Sequence, residues 1–386
     1  MQRNPQRLLT TISPSQNVNL DEVELPTAAE VRAVIPDRCF DRSLVRSSLY
    51  GAMSLALTLV TAAVAYAFIP FSLAWTPAWV AYALVCGTFS TGVWVVAHEC
   101  GHGAFSDNKK IGDAVGFVFH SALLVPYFSW QRSHAIHHAK TNHLSEGETH
   151  VPNAATDPGG IRALRLRAKV GPQAFAALFL AIRLGVGWPL YLVAGASGAP
   201  GRGTTNHFWP WAPFSGALFP KRLVPRVLLS TFGVLVAILG LGVWAFAVGS
   251  IVPVLAVYVG PYLVGNAWLV TYTWLQHTDE DIPHYATDEW SFVRGAFCSV
   301  DRPYGRVFDF LHHNIGSSHV AHHLVSSIPH YHAKEATEAI ATAYPSLYRY
   351  DATPVLQALW TASKHCVVVE ERSDGWWYAI PEPADL

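Results

Sequence analysis

The chain has 386 residues, of which 51% are hydrophobic and only 14% charged, with a net charge of −1. So little charge cannot cover a soluble globule, in which roughly a quarter of residues are charged, and the near-zero balance gives no case for nucleic-acid binding. The composition is that of an integral membrane protein, and five scattered cysteines without a C-x-x-C pair speak against a disulfide framework or zinc ribbon.

Residues 1–46 carry charges of both signs and no apolar core behind a basic start, so they read as a cytoplasmic N-terminal leader rather than a signal peptide. Residues 47–74 and 76–97 are uncharged and long enough to span a bilayer, which takes about 20 residues. The short turn near Trp75 makes them a hairpin. Residues 111–130 contain Asp113 and His120 and are read as an interfacial or re-entrant helix. Residues 144–160 are a loop by their Gly, Pro and Asn density. Residues 173–199 carry Arg183 in mid-run. A lone arginine at the bilayer centre costs about 2.5–3.5 kcal/mol, so this stretch too is expected at the interface. Residues 227–249 and 251–275 form a second hairpin around Ser250. The tail, 326–386, reads as a soluble cap with amphipathic helices around 333–343 and 353–363.

Lys and Arg are absent from Ser47 to Asn108 and from Val227 to Val293. The positive-inside rule therefore places the leader, the segment between the hairpins and the tail on the cytoplasmic side. The expected fold is an all-α integral membrane protein with four transmembrane helices in two hairpins, interfacial helices and a cytoplasmic histidine-rich cap. The leader 1–46, a membrane domain 47–325 and the cap 326–386 are its parts.

The chain holds 19 histidines, many in three clusters. The first, "HECGH", contains His98 and His102. The second, "SHAIHHAKTNH", contains His134, His137 and His138, with His143 after them. The third, "SSHVAHHL", contains His319, His322 and His323. Positions i, i+3 and i+4 share a helix face, so each cluster is expected to aim its rings at one point, and all three fall at cytoplasmic ends of spans. His277, closing the fourth span, is a ninth candidate, with Thr273 one turn before it able to hold a water. His312 and His313 lie close to the third cluster.

Nine imidazoles exceed what one metal takes, since zinc has at most four protein ligands. Two ions with four or five nitrogens each would use them all. An imidazole set suits Fe, Cu or Zn rather than Mg or Ca, and the residues alone do not choose among those three. "HECGH" also satisfies the H-E-x-x-H pattern of zinc proteases, with Glu99 as general base. That reading leaves the other clusters without a use. A metal transporter would need ionisable residues inside the spans, and residues 47–97 and 227–275 contain none.

The order HECGH, H-x-x-H-H, H-x-x-H-H resembles the membrane-bound fatty acid desaturases. Longer stretches, among them "VPYFSWQRSHAIHHAKTNHLSEGETHVP", "TYTWLQHTD" and "HNIGSSHVAHHLVSSIPHYHAKEAT", resemble the omega-6 (delta-12, oleate) subgroup of the endoplasmic reticulum. The resemblance covers roughly residues 45–350. It implies a di-iron centre with O2 as co-substrate, on His98, His102, His134, His137, His138, His319, His322 and His323, with His277 as the additional histidine. It also implies conversion of oleoyl to linoleoyl chains, with Glu99 orienting a ligand. An apolar tunnel would hold the acyl chain, with Trp94, Tyr127, Trp130, Trp268 and Trp274 as candidate walls. Electrons would come from a separate cytochrome b5 and its NADH-dependent reductase, because the chain lacks a fused haem domain; Lys109, Lys110 and the basic run Arg162 to Lys169 would dock them. An omega-3 or bifunctional desaturase, or a fatty acid hydroxylase, would share the same scaffold.

Overall fold

The computed structural model describes residues 23–380, which are helical for most of their length, with one two-stranded sheet near the C-terminus. The part of the leader reading that concerns residues 1–22 lies outside the described residues. Helix α1 (Ala28–Val34) opens on a capping box in which Thr27 and Glu30 satisfy each other's backbone N–H groups. Val31, Ile35 and Cys39 bury against Ala336 and Ile340 of the tail, so the described part of the leader and the cap share one core.

Helix α2 (Leu44–Phe68) starts at Ser43, whose hydroxyl accepts from the Arg46 N–H, and then runs without a charge. Leu59, Val60, Val64 and Phe68 stay exposed along it. An exposed apolar face of this length is suited to lipid rather than water. Helix α3 (Thr76–His102) is the central one. Over half of its apolar stretch is buried inside the protein (56%), against 17–33% for the other long apolar helices, and it packs most against α2 and α9. It stops at Gly103, whose φ of +71° is the left-handed conformation glycine adopts without strain. That stop places His98 and His102 on the last turn.

The stretch expected to form one helix over 111–130 is instead two, α4 (Lys109–Ala122) and α5 (Tyr127–Ala139), bent by 106°. Pro126 sits at the break, with no N–H to continue α4. Helices α6 (Pro158–Val170) and α7 (Pro172–Ala194) follow, then α8 (Val224–Ala247) and α9 (Gly260–His277). The last is preceded by a short helical lead-in, Val252–Val254, and a π-helical turn, Leu255–Val259. Among the described residues, five helical stretches are long and apolar enough to cross a membrane: Leu44–Phe68, Leu73–His102, Pro172–Ala194, Lys221–Ala247 and Val252–His277, or six if the bent pair counts as one. Four coincide with the expected spans to within several residues. The fifth is α7, the Arg183 helix expected at the interface. One stripe of α7 (Leu178, Ile182, Val186, Leu190) is exposed, while the opposite face packs on the cap and on α9.

The rest of the chain covers one end of the bundle. It comprises the short helices α10 (Phe292–Phe297), α11 (Arg306–Leu311) and α12 (His319–Leu324), then α13 (His330–Ala343) and α14 (Val355–His365). The last two match the expected amphipathic helices. A hairpin that the sequence reading did not anticipate closes the described chain: β1 (Val368–Arg372) pairs antiparallel with β2 (Gly375–Ala379). Bridges from Val369 to Ala154 and from Trp376 to His284 tie it to the two loops beside the histidines.

Candidate metal centre

The three histidine clusters and His277 meet, in two adjacent groups. His98, His102, His134, His138 and His322 form the first, with one ring nitrogen of each within 4.8 Å of the others. His137, His277 and His323 form the second, and His319 joins it through Nε2, 2.9 Å from Nε2 of His277. The rings of His138 and His323 stack between the groups, with centroids 4.1 Å apart.

The expectation that each cluster aims at one point is corrected. In both H-x-x-H-H boxes the i, i+4 pair stays together and the i+3 histidine crosses over. His134 and His138 join the first group and His137 the second; His319 and His323 join the second and His322 the first. Adjacent residues on a helix point about 100° apart, so neighbouring histidines can serve two centres on either side of the helix.

The arrangement fits metal. Nε2 atoms face each other at 3.2 Å (His98 and His102), 3.2 Å (His134 and His138) and 3.0 Å (His137 and His277). Two nitrogens each about 2.1 Å from one ion, at 90–109°, lie about 3.0–3.4 Å apart. Nε2 of His322 and of His323 are buried and have no hydrogen-bond partner among the described residues. Burial holds His319, His322 and His323 well below the ordinary histidine pKa, so at neutral pH they are uncharged and have a lone pair to give.

Groups outside the rings fix their orientation. Nδ1 of His137 donates to the carbonyl of Glu148 at 2.7 Å. A carbonyl only accepts, so the proton sits on Nδ1 and the Nε2 lone pair faces the group. Thr141 donates to the carbonyl of His137, which leaves its oxygen to accept from Nδ1 of His323 at 2.9 Å. Asp301 caps α12. One of its oxygens accepts from the backbone N–H of His319 and of Val320, the other from the Tyr348 hydroxyl. None of these supporting groups was singled out from the sequence. Glu148 acts through a backbone carbonyl, which no side-chain pattern announces, and Asp301 lies 18 residues from the ring it supports.

Other expectations separate here. Among the described residues Glu99 makes no hydrogen bond to a clustered ring; its carboxylate accepts from both the backbone N–H and Nδ1 of His330, at 3.0 and 2.8 Å, and so ties α3 to the start of α13. His312 is held between the Tyr272 hydroxyl and the Thr88 carbonyl, and His313 against Ser54, away from both groups. Nδ1 of His143 accepts from the N–H groups of Ser145 and Glu146. Thr273 donates to the Leu269 carbonyl. A third juxtaposition, Cys39 with His332 and Glu335, brings ligand-type atoms within 4.8 Å, but there Glu335 is ion-paired to Arg38.

An apolar cavity of about 230 Å³ borders both groups: His98 and His134 of the first and His137 and His319 of the second lie in its wall. Of the aromatic residues expected to line a tunnel, Trp94 and Trp130 do. Tyr127 instead donates to Asp113, Trp268 to Thr88, and Trp274 is fully buried in the core beneath α7.

Comparison with known proteins gives the same direction. The family model described as fatty acid desaturase matches residues 73–354. The chain is 42% identical over 363 residues to the Delta(12)-oleate desaturase of Trichosanthes kirilowii, covering 90% of this chain and 92% of that one. It is 38% identical to the omega-6 fatty acid desaturase, endoplasmic reticulum isozyme 2, of Glycine max (97% and 96% covered). With the Delta(12)-acyl-lipid-desaturase of Punica granatum it shares 41% identity (91% and 90% covered). An extended match of this kind, running through all three histidine clusters, makes the chain a member of the fatty acid desaturase family of oxidoreductases, with a lipid acyl chain as substrate.

Proposed function

We propose that this protein is an acyl-lipid delta-12 (omega-6) desaturase that converts oleoyl to linoleoyl chains at two iron ions. One ion would be held by His98, His102, His134, His138 and His322, the other by His137, His277, His319 and His323. The observation that carries the reading is the five-plus-four convergence of imidazoles at the wall of an apolar cavity. A hydrolytic H-E-x-x-H site has no use for nine rings, and Glu99 is engaged by His330 rather than facing a ligand. The names of the relatives, Delta(12)-oleate desaturase and Delta(12)-acyl-lipid-desaturase, support the delta-12 position.

Iron, when bound, supplies the oxidation: an acyl –CH2–CH2– unit, O2, two electrons and two protons give a cis –CH=CH– unit and two waters. The chain's own residues do the rest. Trp94 and Trp130 give the cavity an apolar wall that excludes water near the rings. Helices rather than loops carry all nine histidines, which favours positioning an acyl chain to one carbon.

The same reading places two hairpins across the bilayer of the endoplasmic reticulum, Leu44–Phe68 with Leu73–His102 and Lys221–Ala247 with Val252–His277. Both chain ends and the histidines then face the cytoplasm, with residues 1–46 as leader, 47–325 as membrane domain and 326–386 as cap. Electrons come from cytochrome b5 and its NADH-dependent reductase. The exposed side chains of Lys109, Lys110, Arg162, Arg165 and Lys169 offer a basic docking face.

Expression in a yeast that makes no linoleate tests this reading, with metal analysis of the purified protein. New linoleate and about two irons per chain are expected. One zinc per chain and no diene would overturn it, and hydroxy-oleate would move the reaction to hydroxylation.

A further inference from the structure

Cys39, His332 and Glu335 form a ligand-type cluster that shares no residue with the nine clustered rings. Cys39 sits in the 3-10 turn Asp37–Phe40. His332 and Glu335 stand three residues apart on α13, a spacing that puts both on one helix face, and the turn packs against that helix. The Cys39 Sγ, a ring nitrogen of His332 and a carboxylate oxygen of Glu335 lie within 4.8 Å of one another. Around a tetrahedral zinc such atoms stand about 3.3–3.6 Å apart, so side-chain adjustments of about 1 Å close the set.

Core packing explains part of this, since Cys39 is buried in one apolar cluster with Val31, Ile35, Ala336 and Ile340. It does not explain the polar atoms around the sulfur. Burial, with the Glu335 carboxylate beside it, pushes the Cys39 thiol up to about 11, so with no ion bound it keeps its proton. Burial holds His332 below the ordinary histidine pKa, which leaves an uncharged ring with a lone pair to give. Among the described residues neither ring nitrogen of His332 has a hydrogen-bond partner. Arg38 pairs with Oε1 of Glu335, and Oε2 is left for another partner. Asp41 is exposed, two residues past Cys39, and its charge acts on both Cys39 and His332. Arg46, the other cation acting on His332 from nearby, lies over the Tyr331 ring.

We infer that Cys39, His332 and Glu335 hold a zinc ion, at a site separate from the nine rings and independent of the desaturase reading. Sulfur, imidazole and carboxylate together are a zinc donor set, and a thiolate does not suit Mg or Ca. On binding, the sulfur–zinc bond forms and the thiol proton passes to solvent. A thiolate and the carboxylates of Glu335 and Asp41 then face a divalent ion and the Arg38 guanidinium, so the charges cancel. Asp41 is the carboxylate at hand for the fourth tetrahedral position. The ion pins the turn to the first part of α13, next to His330, which Glu99 ties to the last turn of α3. Its role is therefore to brace the end of the bundle that carries the first histidine group.

The test adds zinc chloride to the purified full-length protein and to its Cys39→Ser and His332→Ala variants, followed by dialysis and metal analysis. The wild type is expected to keep about one zinc per chain more than either variant, and each variant to bind that zinc about tenfold more weakly or worse. Helicity by circular dichroism should be the same in all three. Cobalt in place of zinc gives a second readout, which in the wild type does not depend on how the variants fold. A thiolate–cobalt pair shows a charge-transfer absorption that imidazole ligands lack, and Cys39→Ser should abolish it. Zinc should also raise the unfolding midpoint of the wild type and not that of Cys39→Ser. Equal zinc in the wild type and both variants places the metal on the clustered rings and overturns the inference. A wild type that keeps no zinc, or a cobalt form without the absorption, overturns it too. Diene formation tests the function separately: a protein that holds this zinc and makes no diene keeps the site and loses the desaturase reading.

Discussion

Arg202 closes on Glu148 beside the second histidine group, although 54 residues separate them in the chain. Its guanidinium also donates to the carbonyls of Gly147 and Glu146, at 2.7 and 2.6 Å, while Tyr191 donates to the other carboxylate oxygen at 3.0 Å. The clamp holds the loop whose Glu148 carbonyl fixes the proton of His137. Glu148 is only 1% exposed. Arg202→Met leaves a buried carboxylate unpaired, a loss of about 3–5 kcal/mol. The expected result is a lower unfolding midpoint together with loss of metal, measured by thermal denaturation and iron analysis. Arg202→Lys should restore part of both. An Arg202→Met protein with full iron content would show that the loop does not orient His137.

Gly87 lies where α3 packs tightly on α9. A Cβ there would lie 2.5 Å from Cβ of Val264 and 2.7 Å from the Pro261 carbonyl oxygen. Both atoms belong to rigid parts of the chain, so Gly87→Ala must push the helices apart, at a cost of about 1–3 kcal/mol. Because α3 carries His98 and His102 and α9 carries His277, iron content and activity should fall together. Gly240→Ala, which meets nothing within 4 Å, is the control and should leave both unchanged.

Asp301 supports the third histidine box through the first two N–H groups of α12. Asp301→Ala removes a helix cap, worth about 0.5–2 kcal/mol, and strands the Tyr348 hydroxyl. The fraying should release His319 first. Iron loss with little change in overall helicity, by metal analysis and circular dichroism, is the expected signature. Asp301→Asn retains an acceptor and should lose less.

Glu99 separates the two metal chemistries that the HECGH motif allows. A general base on a zinc water cannot be replaced by an amide, whereas a carboxylate that only ties His330 can. Glu99→Gln keeps an acceptor for the His330 N–H, so diene formation should stay within about threefold of wild type, with a stability loss of about 1 kcal/mol. Abolished activity at full iron content would contradict the tying role.

Much of this was legible in the residues. Uncharged runs announced the long helices because a bilayer rewards apolar length, and histidines at i, i+3 and i+4 announced the metal-type clusters. The break at Pro126 and the closing hairpin were not legible in the same way. The apolar pattern from 111 to 130 continues across the bend, and the strands are short and alternate only weakly. Residues 173–199 show a subtler limit. Arg183 could be read from the sequence only as a charge in an apolar run, whereas the tertiary structure lays its guanidinium over the rings of Phe179 and Trp274.

By itself, the order of residues determined that the protein is membrane-embedded, which histidines were candidates, and that nine rings were too many for one ion. Those conclusions need only composition and helical spacing, which are local properties. The division of the rings into five and four, the turning of Glu99 toward His330, the Arg202 clamp and the position of Arg183 in the cavity wall were decided by tertiary structure. Each depends on where segments distant in the chain come to rest against one another, and the direction of a side chain relative to another helix is not contained in the spacing along its own.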